Sequence, residues 1–312
     1  MGALIDVVVP VFAIVALGYG AGVFRVLGPD SAAALNRFVY YFALPPVLFV
    51  FPARQPFDQV LHGPFIAAFL AGAGVTLLVV LLVNRLWFRH EVGPLALHSL
   101  AAIYPNTSYM GVPLFLTAFG TDGAMPAIIA TMVGITLFVG AAIAILEAGR
   151  AKGPSPLRIA REVAGTLCRN PLLIASALGV AMSALEWPVP APVGNFLDLM
   201  ASAAGPAALF ALGLSLVGRK LLGDMPEVAW TVFLKLAVQP AATWAVVVWL
   251  LPMEPEWATA AVLLSALPTG AIAFVIAQQY DVYLRRTSSA IVLSTLFSLL
   301  TVSGLLIALD VG

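Results

Sequence analysis

Ten long apolar segments, with Lys and Arg gathered into alternate gaps between them, confine this chain to one kind of fold. The segments run over residues 4–24, 33–52, 64–84, 94–118, 124–148, 170–186, 195–218, 226–251, 257–280 and 287–309. A helix rises about 1.5 Å per residue, so most of them can cross about 30 Å of hydrocarbon. Twelve of the fifteen Lys and Arg residues lie in every second gap: Arg25; Arg85 and Arg89; Arg150, Lys152, Arg158, Arg161 and Arg169; Arg219 and Lys220; Arg285 and Arg286. The other gaps and both termini contribute only Arg54, while Arg37 and Lys235 fall inside segments. Loops rich in Lys and Arg stay on the cytoplasmic face, which predicts that both termini face away from it. The expected fold is an all-α integral membrane protein of the cell membrane, with ten transmembrane helices in the lipid bilayer.

Composition removes the competing classes. A chain that is 62% apolar and 10% charged lacks the polar surface of a soluble globule. Zero net charge, with no basic tract outside 150–169, argues against nucleic acid as a partner. The Met1 end carries Asp6 and no basic region, so the first segment reads as a retained span. The single Cys168 cannot form an internal disulfide. No cofactor motif is present: Gly18, Gly20 and Gly22 stand two apart, which suits close helix packing, and no Walker-type sequence occurs. His62, His90 and His98 have no spacing that puts two on one helical turn and no carboxylate cluster beside them in sequence. They read as interfacial polar residues, and no metal site is expected.

The chain repeats itself. At an offset of 161 residues, Pro10, Ala16, Leu17 and Gly18 meet Pro171, Ala177, Leu178 and Gly179; Ala43, Pro45, Leu48 and Phe49 meet Ala204, Pro206, Leu209 and Phe210. An offset of 163 brings Pro105 onto Pro268 and Val112 onto Val275. Matches in chain order at nearly constant offset indicate duplication. Five segments per copy is an odd number, so the second copy enters the membrane from the opposite side, as in secondary transporters. The expected organisation is a first five-helix repeat over 1–148, a cytoplasmic linker over 149–169 and a second repeat over 170–312.

Segments 4 and 9 are interrupted at matched depth. Pro105 and Pro268 each lie twelve residues into their segments, near the bilayer midplane, and each removes a helical hydrogen bond. Backbone broken at that depth is tolerated only against protein or a wet cavity. Polar residues follow both breaks: Asn106, Thr107, Ser108 and Tyr109 after Pro105, and Thr269 and Gly270 after Pro268. Half-helices that start there present amide groups with partial positive charge, which favours an anion such as a carboxylate. Asn106 and Thr269 are the expected first donors to it.

The motifs NRFVYYFALPPVLF (36–49), PNTSYMGVPLF (105–115) and LPTGAIAFVIAQQYDV (267–282) resemble the auxin efflux carrier family, which includes plant auxin exporters and bacterial permeases such as malonate carriers. The likeness runs in order along nearly the whole chain. Asn36, Arg37, Phe38, Val39, Phe42, Ala43 and Pro45 fit its first motif. Pro105, Asn106, Thr107, Met110, Gly111, Pro113 and Leu114 fit the second, and Leu267, Pro268, Gly270, Phe274 and Val275 the third. The resemblance implies broken helices 4 and 9 crossing at the substrate site, elevator-like movement of spans 3–5 and 8–10 against 1, 2, 6 and 7, and a homodimer. Segment 5 offers Thr131 and Thr136 where plant members carry larger polar residues, and Leu48 stands where they have a Ser. Auxin thus has no support as substrate, and a smaller organic anion fits as well.

The other polar residues in the segments are candidates for coupling. Lys235 sits about ten residues into segment 8, followed by Gln239 and Pro240; it either serves the anion electrostatically or snorkels to the interface. Asp198 and Glu147 are the carboxylates placed within spans, Asp198 as a helix-start residue and Glu147 at an interface. Gln278 lies three turns beyond Pro268 and is placed to line an inner vestibule. Together these features predict a secondary transporter for a small organic anion, not an enzyme; the alternative is a membrane-embedded sensor using the same crossover.

Overall fold

The computed structural model of the chain describes residues 2–60, 62–120, 122–150, 156–218 and 225–309. Among the described residues the regular structure is helical, with one isolated extended pairing between Pro105 and Thr269. The principal helices are α1 (Gly2–Val23), α2 (Asp30–Arg54), α3 (Gly63–Phe88), α4 (Val92–Ile103), α5 (Thr107–Phe119), α6 (Met125–Gly149), α7 (Pro156–Cys168), α8 (Pro171–Ala184), α9 (Ala191–Leu216), α10 (Met225–Trp249), α11 (Pro255–Ser265), α12 (Ile272–Tyr280) and α13 (Leu284–Ala308).

Six of these, α2, α3, α6, α9, α10 and α13, are long and apolar enough to cross a membrane; α7 and α8, bent 75° apart, make a seventh if taken as one span. The protein is therefore a multi-pass membrane protein. Apolar segments 4 and 9 are present as the pairs α4/α5 and α11/α12, whose halves are each too short to cross alone. The outer surface is what lipid requires: Leu78, Leu82, Trp87, Leu199, Leu300 and Trp249 are exposed on the long helices.

Three helices carry a wider, π-type turn that ends two residues before a proline: 39–43 before Pro45, 107–111 before Pro113, and 234–238 before Pro240. The ring of a helical proline clashes with the carbonyl four residues back and offers no N–H. Widening the preceding turn to i→i+5 bonding relieves that clash.

Helix α1 packs on α9 and α2 on α8, while α3 packs on α10 and α11. Two glycines permit the first pairings. A Cβ on Gly18 would stand 2.1 Å from the carbonyl oxygen of Phe210, and one on Gly179 would stand 2.4 Å from that of Phe49. Gly18 and Gly179 are 161 residues apart, as are Phe49 and Phe210, so the two contacts are reciprocal at that one offset.

The stretch expected to be a plain linker contains helix α7. Val163 and Leu167 turn towards Gly140 of α6, while Arg158, Arg161 and Glu162 are exposed. Residues 151–155 of the linker lie outside the described residues.

Candidate anion site at the helix crossover

Pro105 ends α4 and Pro268 ends α11 because neither can continue the hydrogen-bond ladder. The two freed strands of backbone then satisfy each other. The Asn106 N–H donates to the Pro268 carbonyl at 2.8 Å, and the Gly270 N–H donates to the Tyr104 carbonyl at 2.9 Å. A Cβ on Gly270 would stand 2.4 Å from the Tyr104 ring, so only glycine allows this approach. The predicted residues of both breaks are therefore brought to one point, with Asn106, Thr107, Ser108, Tyr109, Thr269 and Gly270 all buried.

Their chemistry differs. Thr269 is committed to the scaffold: its hydroxyl donates to the Ala101 carbonyl at 2.8 Å, and its N–H donates to the Ser294 hydroxyl at 3.1 Å. It fastens the second break to α4 and α13, and is not the free donor that the sequence suggests. The Asn106 amide nitrogen and the Thr107 hydroxyl are buried without a hydrogen-bond partner. The Ser108 hydroxyl is buried without a partner as well, although buried polar groups are nearly always satisfied. They sit at the start of α5, where first-turn amides lack intrahelical acceptors.

Helix α10 reaches the ends of both α4 and α11. Lys235, fully buried, donates through Nζ to the carbonyl of Ser265, the last residue of α11, at 2.6 Å. Gln239, one turn on, donates through Nε2 to the carbonyl of Ile103, the last residue of α4, at 3.0 Å. Spacing of four residues places both on one face of the helix. Helix C-termini carry partial negative charge and N-termini partial positive charge. Each of these two C-terminal ends thus accepts a side-chain hydrogen bond from α10. Snorkelling of Lys235 is excluded by its full burial.

Two expected coupling residues lie elsewhere. Asp198 is half exposed and paired with Arg54 at the end of α2, both oxygens at 2.9 Å from the guanidinium. Gln278 is exposed near the end of α12. Glu147 accepts from the Tyr280 hydroxyl at 2.8 Å.

One carboxylate was missed. Glu227, in the first turn of α10, is 1% exposed and gathers His90, Tyr283 and Arg286, with His98 beside it. The reading of Asp198 and Glu147 as the carboxylates within spans is corrected by it, and so is the reading of His98 as interfacial, since that ring is fully buried. Its position at the edge of segment 8 resembles an ordinary helix-start carboxylate, and no local spacing links it to residues 137 positions away.

Helices wrapped in exposed apolar side chains around a broken-helix crossover define an integral membrane transport protein. The chain belongs to the membrane transport protein family, whose profile matches residues 3–306. It is 31% identical to the "Putative malonate transporter" of Rhizobium meliloti (strain 1021), over 100% of this chain and 98% of that protein. It is 26% identical to the transporter YfdV of Escherichia coli (strain K12), over 92% of this chain and 91% of the relative. Auxin efflux carrier component 8 of Arabidopsis thaliana is 20% identical over 98% of this chain and 97% of its own length. The family and these relatives are transporters and not enzymes, and the chain is an auxin efflux carrier-like permease.

Proposed function

We propose that the chain is a secondary transporter for a small organic anion, with the crossover as its binding site. One observation carries the reading: α10 donates to the carbonyl ends of both interrupted helices, through Lys235 and Gln239, while the starts of α5 and α12 carry no side-chain cap. A carboxylate at the crossover would meet the positive starts of α5 and α12, the Asn106 amide and the Thr107 hydroxyl. The name of the Rhizobium meliloti relative puts malonate first among the anions to try.

The finer topology belongs to the same proposal. The chain crosses the membrane ten times in two inverted five-helix repeats, with both termini away from the cytoplasm. Helices α3–α6 and α10–α13 carry the site past α1, α2, α8 and α9 in an elevator-type movement. The reciprocal contacts of Gly18 with Phe210 and Gly179 with Phe49 support the repeat, and the alternation of Lys and Arg supports the orientation. A homodimer through the stationary helices completes the reading.

Flux of radiolabelled malonate, succinate and indole-3-acetate into proteoliposomes tests it. Saturable flux of a dicarboxylate, lost in Asn106→Ala, is the expected result. Absence of saturable flux for every anion tried, or an unaffected Asn106→Ala variant, would overturn it.

A further inference from the structure

Away from the crossover, four side chains from two parts of the chain converge on one buried carboxylate. Glu227 Oε1 lies 2.5 Å from His90 Nε2 and also accepts from the Tyr283 hydroxyl, while Oε2 lies 3.0 Å from Arg286 Nε. His98 presents Nδ1 at 3.9 Å from Oε1, and neither of its ring nitrogens has a hydrogen-bond partner. The rings of His90, His98 and Tyr283 lie within 6.0 Å of one another, centre to centre. Phe88 closes the side, stacked on His90 at 5.7 Å. The backbone N–H of His90 donates to Asn84 Oδ1 at 2.9 Å, which fixes where the imidazole enters.

We infer that His90, held on Glu227, binds a proton that travels with the transported anion. This rests on the reading of the crossover as an anion site. The charges support it. Glu227 and Arg286 cancel, so the cluster is neutral while His90 is neutral. In that state Nε2–H donates to Glu227 and Nδ1 is the basic atom. A proton added at Nδ1 creates an imidazolium whose Nε2–H still donates to the carboxylate, so the extra positive charge arises next to a negative one. His98, Tyr283 and Arg286 are the other titratable or charged groups that face it, together with Arg89 and Glu91 on its own segment. The Tyr283 hydroxyl, pushed up first by burial and then by its bond to Glu227, stays protonated and remains a donor.

A metal ion suits the cluster less well. The three donor atoms of His90, His98 and Glu227 lie within 4.8 Å, but Oε1 already meets His90 and the Tyr283 hydroxyl, and Oε2 is ion-paired with the Arg286 guanidinium. A divalent cation would have to displace a donor and sit beside Arg286.

The position suits coupling. His90 precedes α4, which ends at the crossover, and Glu227 begins α10, which reaches the crossover through Lys235 and Gln239. Twelve residues of helix span about 18 Å. The proton and the anion would thus ride on the same helices, and one imidazolium would neutralise one carboxylate of the cargo. Moving the loaded body across hydrocarbon then avoids carrying that net charge.

Two measurements test the inference separately from the crossover. In nanodiscs, the ¹⁵N signals of His90, assigned by their loss in His90→Gln, should titrate reversibly between about pH 5 and 8, with at least about tenfold weaker proton affinity in Glu227→Gln. A single protonation state from about pH 5 to 9, or an unchanged midpoint in Glu227→Gln, would overturn it. In proteoliposomes, a pH gradient should raise wild-type malonate flux several-fold, and His90→Gln should reduce that stimulation to none. Stimulation that survives in His90→Gln overturns the coupling. Absence of any malonate flux in the wild type refutes the anion site instead, and leaves the titration to decide on the proton. Stoichiometric zinc retained by the purified protein and lost in His90→Gln would replace the proton with a metal.

Discussion

Nζ of Lys235 donates to the backbone carbonyl of Ser265 at 2.6 Å, and no carboxylate among the described residues comes within ion-pair distance of it. Nζ is therefore committed to a helix end, behind the break at Pro268. Replacing Lys235 with Met removes the cap and lets the negative end of α11 act on the site. Anion affinity should fall about tenfold or more, equivalent to roughly 1.4 kcal/mol, and the voltage dependence of flux should change. Competition binding and flux under imposed potentials read both; no change in either would return Lys235 to a packing role.

Asn106→Ala separates binding from folding. The amide nitrogen has no protein partner, so its removal leaves no acceptor stranded and should shift stability by less than about 0.5 kcal/mol. Flux should fall at least about tenfold in kcat/KM. A protein that melts early and loses flux would mean that Asn106 holds the break together instead.

Thr269→Val should do the reverse. Its hydroxyl is buried against the Ala101 carbonyl, and a Val of similar shape leaves that acceptor unsatisfied, at a cost of about 1–3 kcal/mol. The melting temperature should drop by several degrees, and any loss of flux should follow the loss of folded protein. An undiminished melting temperature would contradict the geometry.

Gly18→Ala and Gly179→Ala should be equally damaging, because the added methyl meets a backbone carbonyl in each: Phe210 at 2.1 Å and Phe49 at 2.4 Å. Backbone cannot swing aside as a side chain can, so each should cost more than about 2 kcal/mol. Yield of monodisperse protein after extraction measures it. A large effect in one variant and none in the other would break the equivalence of the two contacts.

Asp198→Asn is expected to do little. Its pairing with Arg54 is half exposed, and such pairs contribute about 0–1 kcal/mol. Flux should match the wild type across pH; a changed pH profile would restore Asp198 as a coupling residue.

Several elements were legible before any coordinates. Proline interrupts a helix through its own covalent structure, so Pro105 and Pro268 marked both breaks. The offset between Gly18 and Gly179 marked two positions that serve the same close packing. Hydrophobic length is read by the membrane directly, one segment at a time, which is why it suffices for the class of protein. What each polar side chain touches is another matter. Asn106 and Thr269 look alike as break-adjacent polar residues, yet one is left unpartnered and the other is tied to Ala101. Lys235 is directed at Ser265, thirty residues on, and Glu227 collects His90 and Arg286 from distant segments. Those partners are chosen when helices pack, because a buried hydrogen bond or ion pair depends on distances of a few ångström between elements that no local periodicity encodes. The chain alone thus determined that the protein is helical and membrane-embedded and where two of its helices break; the packed structure decided which helix ends are capped, which side chains stay unpartnered and where the buried charges meet.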